Sequence, residues 1–179
     1  MLFYDKKIRQ ALEYAAQVHN NQWRLPLEDK IPYISHVAGV GIILARLNLD
    51  TDTICAGILH DTLEDTETTF DDLKNIFNPH IAELVQEVSE DKQLPWLERK
   101  IQYRKKLNTI SLSGLLISLA DHLYNTESMI DLIVNHQQKI SNFDKRIEHE
   151  EECLKIYQQR LTTSLVDEFS KQVKKLSEL

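Results

Sequence analysis

The chain has 179 residues, 42% of them hydrophobic and 27% charged, with a formal net charge of −7. This is enough chain to bury one domain core, and the acidic balance argues against a nucleic-acid face, which needs an excess of Lys and Arg. Only 4 Gly and 4 Pro leave little room for the tight turns of a β-sandwich, and the longest apolar run falls far short of the ~20 residues of a membrane span.

In chain order, Ile8, Leu12, Ala15, Ala16 and Val18 recur at helical spacing and predict a helix over Asp5 to Val18. Gln22 to Ile34 holds Pro26, Pro32 and several charges and reads as a long loop, a candidate binding loop. Ser35 is the expected N-cap of a helix over His36 to Leu47, and Asp50 or Thr51 caps the next, running to about Leu63. Thr68 or Thr69 opens Phe70 to Phe77, and Pro79 suits the first turn of His80 to Ser89. After the polar connector Glu90 to Pro95, a helix runs to about Leu107. A long apolar segment, Leu112 to Val134, follows, then a polar loop, Asn135 to Ser141. Two charge-rich amphipathic segments, Phe143 to Arg160 and Thr163 to Leu179, close the chain. No stretch alternates with a period of two. The expectation is a single all-α domain over residues 1–179, with nine or ten helices.

Cys55 lies in an apolar run and reads as a buried thiol rather than part of a disulfide framework. The stretch Met1 to Lys7 has no signal-peptide core, so a cytoplasmic protein is the default expectation.

The densest chemistry lies between Leu59 and Thr66, where His60, Asp61, Glu64 and Asp65 fall within six residues. On a continuous helix these four share an arc of about 140°. Such a face is either a metal site or a solvated surface. Asp121 follows the apolar run Leu115 to Ala120, and a carboxylate so placed needs a partner, a cap or a metal. His36, His60, Asp61 and Asp121 together make a mixed nitrogen and oxygen donor set. It suits Mn²⁺, Fe²⁺, Co²⁺ or Zn²⁺ better than Ca²⁺, and it lacks the thiolates of a structural zinc site. For Glu64 and Asp65 two readings stand side by side: an acidic helix end, opposed by the helix dipole, or groups that orient and deprotonate a metal-activated water. Among the basic residues, Arg24, Lys92, Arg99, Lys100, Arg104, Lys105, Lys106, Lys145 and Arg146 could supply the few cations a phosphate-rich ligand needs. The remaining histidines, His19, His80, His122, His136 and His149, have no spacing that asks for a metal.

Four stretches carry a resemblance to a known family: Pro32-Tyr33-Ile34-Ser35-His36; Ala56 through Thr66 with its His-Asp-x-x-Glu-Asp core; Val88 through Lys100; and Ser118-Leu119-Ala120-Asp121-His122-Leu123-Tyr124-Asn125. The chain resembles the HD-domain phosphohydrolases over about residues 5–160, and within them the hydrolase domain of the Rel/Spo alarmone enzymes and their stand-alone small alarmone hydrolases. The resemblance implies hydrolysis of the 3′-pyrophosphate of guanosine tetra- or pentaphosphate to GDP or GTP and pyrophosphate. It implies one Mn²⁺ per chain held by His36, His60, Asp61 and Asp121, with Glu64 and Asp65 activating water. Arg24, Asn125 and Arg146 match positions that contact the nucleotide, and Lys92 is a further candidate for its phosphates.

The implied partner is thus a small guanosine polyphosphate, with no nucleic acid and no membrane, and a homo-oligomer is compatible with it. Departures fall in the ligand-binding set: Leu25 and Pro26 after Arg24, Val37 after His36, Trp96 where the metazoan homolog has lysine, Glu127, and Glu150 where an aromatic is expected. An HD-type phosphohydrolase of another nucleotide such as NADPH is the alternative. A non-catalytic nucleotide-binding module is a third reading, against which the Glu64-Asp65 pair argues.

Overall fold

The computed structural model describes residues 5–24 and 30–179. Among the described residues ten helices form, and the one β-type pairing outside them is the isolated bridge between Trp23 and Pro32. The fold is all-α, as the periodicity predicts. The chain divides into two compact units, Met1–Lys92 and Gln93–Leu179.

The first unit holds α1 (Lys6–Val18), α2 (Ile34–Arg46), α3 (Thr51–Leu59), α4 (Thr62–Asp65), α5 (Phe70–Ile76) and α6 (Pro79–Val88). Side chains satisfy the orphan amides at most of their starts. Asp5 accepts from Lys7 N at 2.8 Å, and Asp50 accepts from Thr53 N at 3.0 Å. Thr69 and Asp72 form a reciprocal capping box, and Asn78 precedes Pro79 in the first turn of α6.

Helix α3 is buried from Thr53 to Leu59 and packs on α1, α2 and α6. Cys55 lies inside it, and burial pushes its thiol up to about 12. Glycine makes the contact between α2 and α3 close. A Cβ at Gly57 would stand 2.1 Å from Leu44 Cδ1, and one at Gly41 would stand 2.5 Å from Ile58 Cγ1. This close approach matters because α2 carries His36 and the end of α3 carries His60.

Two local expectations are corrected. Ser35 does not cap α2. The helix starts at Ile34 after Tyr33, and the Ser35 hydroxyl donates back to the Pro32 carbonyl at 2.9 Å. The expected helix from Asp50 to Leu63 is broken: α3 stops at Leu59, His60 and Asp61 form a turn, and α4 resumes at Thr62. Side chains explain the break. His60 Nδ1 takes the Gly57 carbonyl at 2.8 Å and the Thr62 hydroxyl takes the Leu59 carbonyl at 2.7 Å. Those are the acceptors that the next backbone amides of a continuous helix would use. The single acidic arc is therefore split between the turn, which carries His60 and Asp61, and α4, which carries Glu64 and Asp65.

The second unit holds α7 (Trp96–Leu107), α8 (Leu112–Val134), α9 (Phe143–Arg160) and α10 (Ser164–Ser177). Ser111 caps α8 through Gly114 N at 3.0 Å. Helix α8 packs on α9 and α10, and α7 packs on α9. The Arg160 guanidinium donates to the Leu107 and Ile110 carbonyls, tying the end of α9 to the end of α7. Among the described residues no helix is long and apolar enough to cross a membrane.

Candidate functional site

In the first unit, α2 presents His36 in its first turn and the α3–α4 turn presents His60 and Asp61. His36 and His60 are both buried. The Gly57 carbonyl can only accept, so His60 Nδ1 carries a proton and Nε2 is the ring atom turned to Asp61. His60 Nε2 lies 3.0 Å from Asp61 Oδ2, and His36 Nε2 lies 3.3 Å from the same oxygen. Burial pushes the Asp61 carboxyl up, but the His60 and His36 rings more than offset this and hold it well below the usual range.

Two imidazole nitrogens at 3.0 and 3.3 Å from one carboxylate oxygen are held there by a proton or by a cation shared among them. This arrangement fits a divalent ion of borderline hardness: two imidazole nitrogens and a carboxylate oxygen, already drawn together. Tyr33 completes the local frame. Its hydroxyl donates to Asp61 Oδ2 at 2.6 Å, and its ring lies against both His19 and His36.

Glu64 and Asp65 follow on α4. The Glu64 side chain is 11% exposed, and its Oε1 accepts from the Glu90 amide at 2.8 Å. Burial, with the Asp61 charge behind it, raises the Glu64 carboxyl to about 7. Asp65 is more open and pairs with the Lys92 ammonium, which also lies 3.6 Å from Glu64 Oε2. Gln22 fixes the Asp65 backbone, donating to its carbonyl at 2.6 Å. A carboxylate titrating near neutrality beside candidate metal ligands can accept a proton from water at physiological pH.

The other predicted residues fall as follows. Arg24 lies in the first unit with its guanidinium 6.0 Å from the centre of the Tyr33 ring. Leu25 and Pro26 lie outside the described residues. In the second unit Asp121 is half-buried on α8 and accepts from Asn125 Nδ2 at 2.7 Å, one turn on. Arg146 lies over the Trp96 ring at 5.8 Å and donates through Nε to the Ser141 carbonyl. The structure thus gathers His36, His60 and Asp61 with Tyr33, gathers Glu64 and Asp65 with Lys92, and gathers Asp121 with Asn125.

Sequence reasoning passed over Tyr33 as a partner of Asp61 and His149, Glu150 and Cys153 as a buried group. The spacing of three residues between Tyr33 and His36, and of four between His149 and Cys153, were the available signals.

Comparison with known proteins agrees with this picture. An HD domain family model matches residues 11–162. The chain is 39% identical over 122 residues to a guanosine-3′,5′-bis(diphosphate) 3′-pyrophosphohydrolase of Danio rerio, covering 67% of each. It is 39% identical over 125 residues to the Homo sapiens protein of that name, covering 69% of each. It is 34% identical over 142 residues to the bifunctional (p)ppGpp synthase/hydrolase SpoT of Escherichia coli, 76% of this chain and 20% of that protein. A solved structure described as a metazoan ortholog of SpoT that hydrolyses ppGpp superimposes with a TM-score of 0.87 at 28% identity, covering 100% of both chains.

Proposed function

The chain belongs to the HD-domain family, and from that premise we propose that it hydrolyses the 3′-pyrophosphate of guanosine tetra- and pentaphosphate, releasing pyrophosphate and GDP or GTP. The observation that carries the reading is the convergence of His36 Nε2 and His60 Nε2 on one oxygen of Asp61, with Glu64 and Asp65 on the helix that follows. The relatives that bear that activity in their names cover two thirds of their own length with this chain.

In this reading His36, His60 and Asp61 hold one divalent ion, and the family pattern adds Asp121 to the set. Mn²⁺ is the ion proposed. When bound it supplies Lewis acidity, making water a better nucleophile and offsetting charge on the scissile phosphoryl group. Glu64 takes the proton from the attacking water. Its raised pKa suits that task at neutral pH. Asp65 orients the same water, and Lys92 holds the Asp65 carboxylate in place. Tyr33 locks Asp61 Oδ2 in its orientation. Arg24, Asn125, Arg146 and Lys92 are the proposed contacts to the nucleotide and its phosphates, where charge stabilisation and positioning dominate the barrier.

The reading treats residues 1–179 as one functional HD domain. It places the protein in the cytoplasm, where the buried Cys55 and Cys153 thiols suit a reducing compartment. It needs no nucleic-acid partner, and a homo-oligomer is compatible with it.

A second reading keeps the reaction class and changes the nucleotide, with NADPH as the candidate. The observation that leaves the nucleotide open to it is Glu150, which stands at an expected aromatic position and is buried against His122. A panel of nucleotides incubated with Mn²⁺ separates the two. The first reading predicts pyrophosphate from guanosine tetraphosphate. Orthophosphate from NADPH, with the guanosine nucleotide untouched, would replace it with the second.

A further inference from the structure

The second unit holds a second convergence of metal-ligating atoms, made by α8 and α9 alone. His122, His149 and Cys153 are all buried, at 6%, 3% and 0% exposure. One donor atom from each, a ring nitrogen or the Cys153 sulfur, lies within 4.8 Å of the other two. Cys153 Sγ stands 3.8 Å from both ring nitrogens of His149, one helical turn before it. Nitrogen and sulfur ligands at about 2.0–2.3 Å from a tetrahedral ion stand about 3.3–3.7 Å from one another. The group therefore lies within a small side-chain adjustment of coordination geometry.

We propose that His122, His149 and Cys153 form a structural site for a thiophilic divalent cation, Zn²⁺ in particular, that staples α8 to α9.

The surroundings of His122 are those of a metal ligand. Its Nδ1 is engaged by Glu150 Oε2 at 2.5 Å, so Nε2 is the nitrogen proposed to bind the ion. A carboxylate on the far nitrogen is the usual outer partner of a zinc-binding histidine, because it fixes the ring and raises its basicity. Tyr103 stacks on the His122 ring at 5.8 Å, and Tyr157 and Phe169 meet it edge-on at 5.9 and 6.1 Å. These contacts leave the ring little freedom to turn. The Cys153 thiolate and the Glu150 carboxylate together match the two charges of the ion, beside the Lys100, Arg104 and Arg146 cations that also face His149.

Arg104 Nη1 donates to His149 Nδ1 at 3.0 Å. Ligation through that nitrogen displaces a guanidinium that is only half-buried and sits on a flexible stem. Three protein donors leave a fourth position for water.

This site is distinct from His36, His60 and Asp61, a set that has no sulfur, and that difference supplies the test. Protein stripped with a chelator is titrated anaerobically with Co²⁺, which gives a thiolate-to-metal charge-transfer band in the near ultraviolet only where sulfur binds it. The proposal predicts the band in the wild-type protein, its persistence in Asp61→Ala and Cys55→Ser, and its loss in Cys153→Ser and on addition of Zn²⁺. His149→Gln, which keeps a polar side chain of similar reach, is expected to weaken Co²⁺ at this site at least tenfold, on the order of a lost inner ligand. Absence of the band in the wild-type protein at saturating Co²⁺ overturns the proposal without recourse to any variant, and so does a band that survives Cys153→Ser. The experiment reads no turnover, so its failure leaves the hydrolase reading intact, and the converse holds.

Discussion

The Tyr33 hydroxyl donates to Asp61 Oδ2 at 2.6 Å, and this is the oxygen on which the Nε2 atoms of His36 and His60 converge. Outer hydrogen bonds of this kind set the orientation of a ligating carboxylate. Tyr33→Phe keeps the ring that packs on His19 and His36 and removes only the hydroxyl. Mn²⁺ affinity, measured by calorimetry, is expected to fall about 10–100-fold, with helicity unchanged by circular dichroism.

Glu64 as the proposed general base sets the expected pH dependence of the reaction. Its carboxyl, raised to about 7, must be ionised to take a proton, so kcat/KM rises with pH through that region in the limit of weak metal perturbation. A tightly bound cation moves the limb to lower pH. Lys92 lies 3.6 Å from Glu64 and lowers its pKa. Lys92→Met therefore shifts the rising limb to higher pH, and Glu64→Gln abolishes it together with most of the activity, on the order of 10²–10⁴-fold for a general base.

The same carboxyl bears on stability in the metal-free protein. Its pKa is about 7 folded against an ordinary 4.5. Between those values the folded state keeps a proton that the unfolded chain has released, so stability falls as pH rises from about 4.5 to about 7 and is level above. Glu64→Gln removes the ionisation and keeps the acceptor for the Glu90 amide. Chemical denaturation is expected to find the variant more stable at pH 8, by an upper limit on the order of 3 kcal/mol. The difference closes below pH ~4.5, where the unfolded carboxyl also holds its proton.

Glycine at position 57 sets the distance between the helices that bear His36 and His60. In Gly57→Ala the new methyl meets Leu44 Cδ1 at 2.1 Å, and Leu44 is fully buried and has little room to turn away. The expected cost is about 1–3 kcal/mol of stability. Metal affinity falls with it, because α2 and α3 must part. Denaturation and metal titration of the one variant check both effects.

Much of the fold was legible in the sequence because it rests on local rules. Helix α8 spans Leu112–Val134, where a long apolar run predicts it, and Pro79 marks the first turn of α6. The break at His60 was not legible. It depends on an imidazole and a threonine hydroxyl taking backbone carbonyls, which residue periodicity does not register. The start of α2 went astray for a similar reason, since Ser35 has the right chemistry for a cap but turns its hydroxyl back to Pro32.

In the candidate site, the approach of His36 to Asp61 joins the first turn of α2 to the α3–α4 turn, and no local pattern encodes it. The Tyr33–Asp61 bond spans 28 positions and became visible only in three dimensions. His149 and Cys153 shared a helix face in the sequence, but burial made them a group with His122 and Glu150.

The most direct test of the proposed chemistry is the metal-dependent product of one substrate. Guanosine tetraphosphate is incubated with the wild-type protein and Mn²⁺, beside Asp61→Ala, and the phosphorus-containing products are resolved by nuclear magnetic resonance. The account predicts GDP and intact pyrophosphate from the wild type, dependent on the added ion, and loss of turnover in Asp61→Ala. Unaltered substrate with the wild type at saturating Mn²⁺, orthophosphate as the sole product, or full turnover by Asp61→Ala would contradict it.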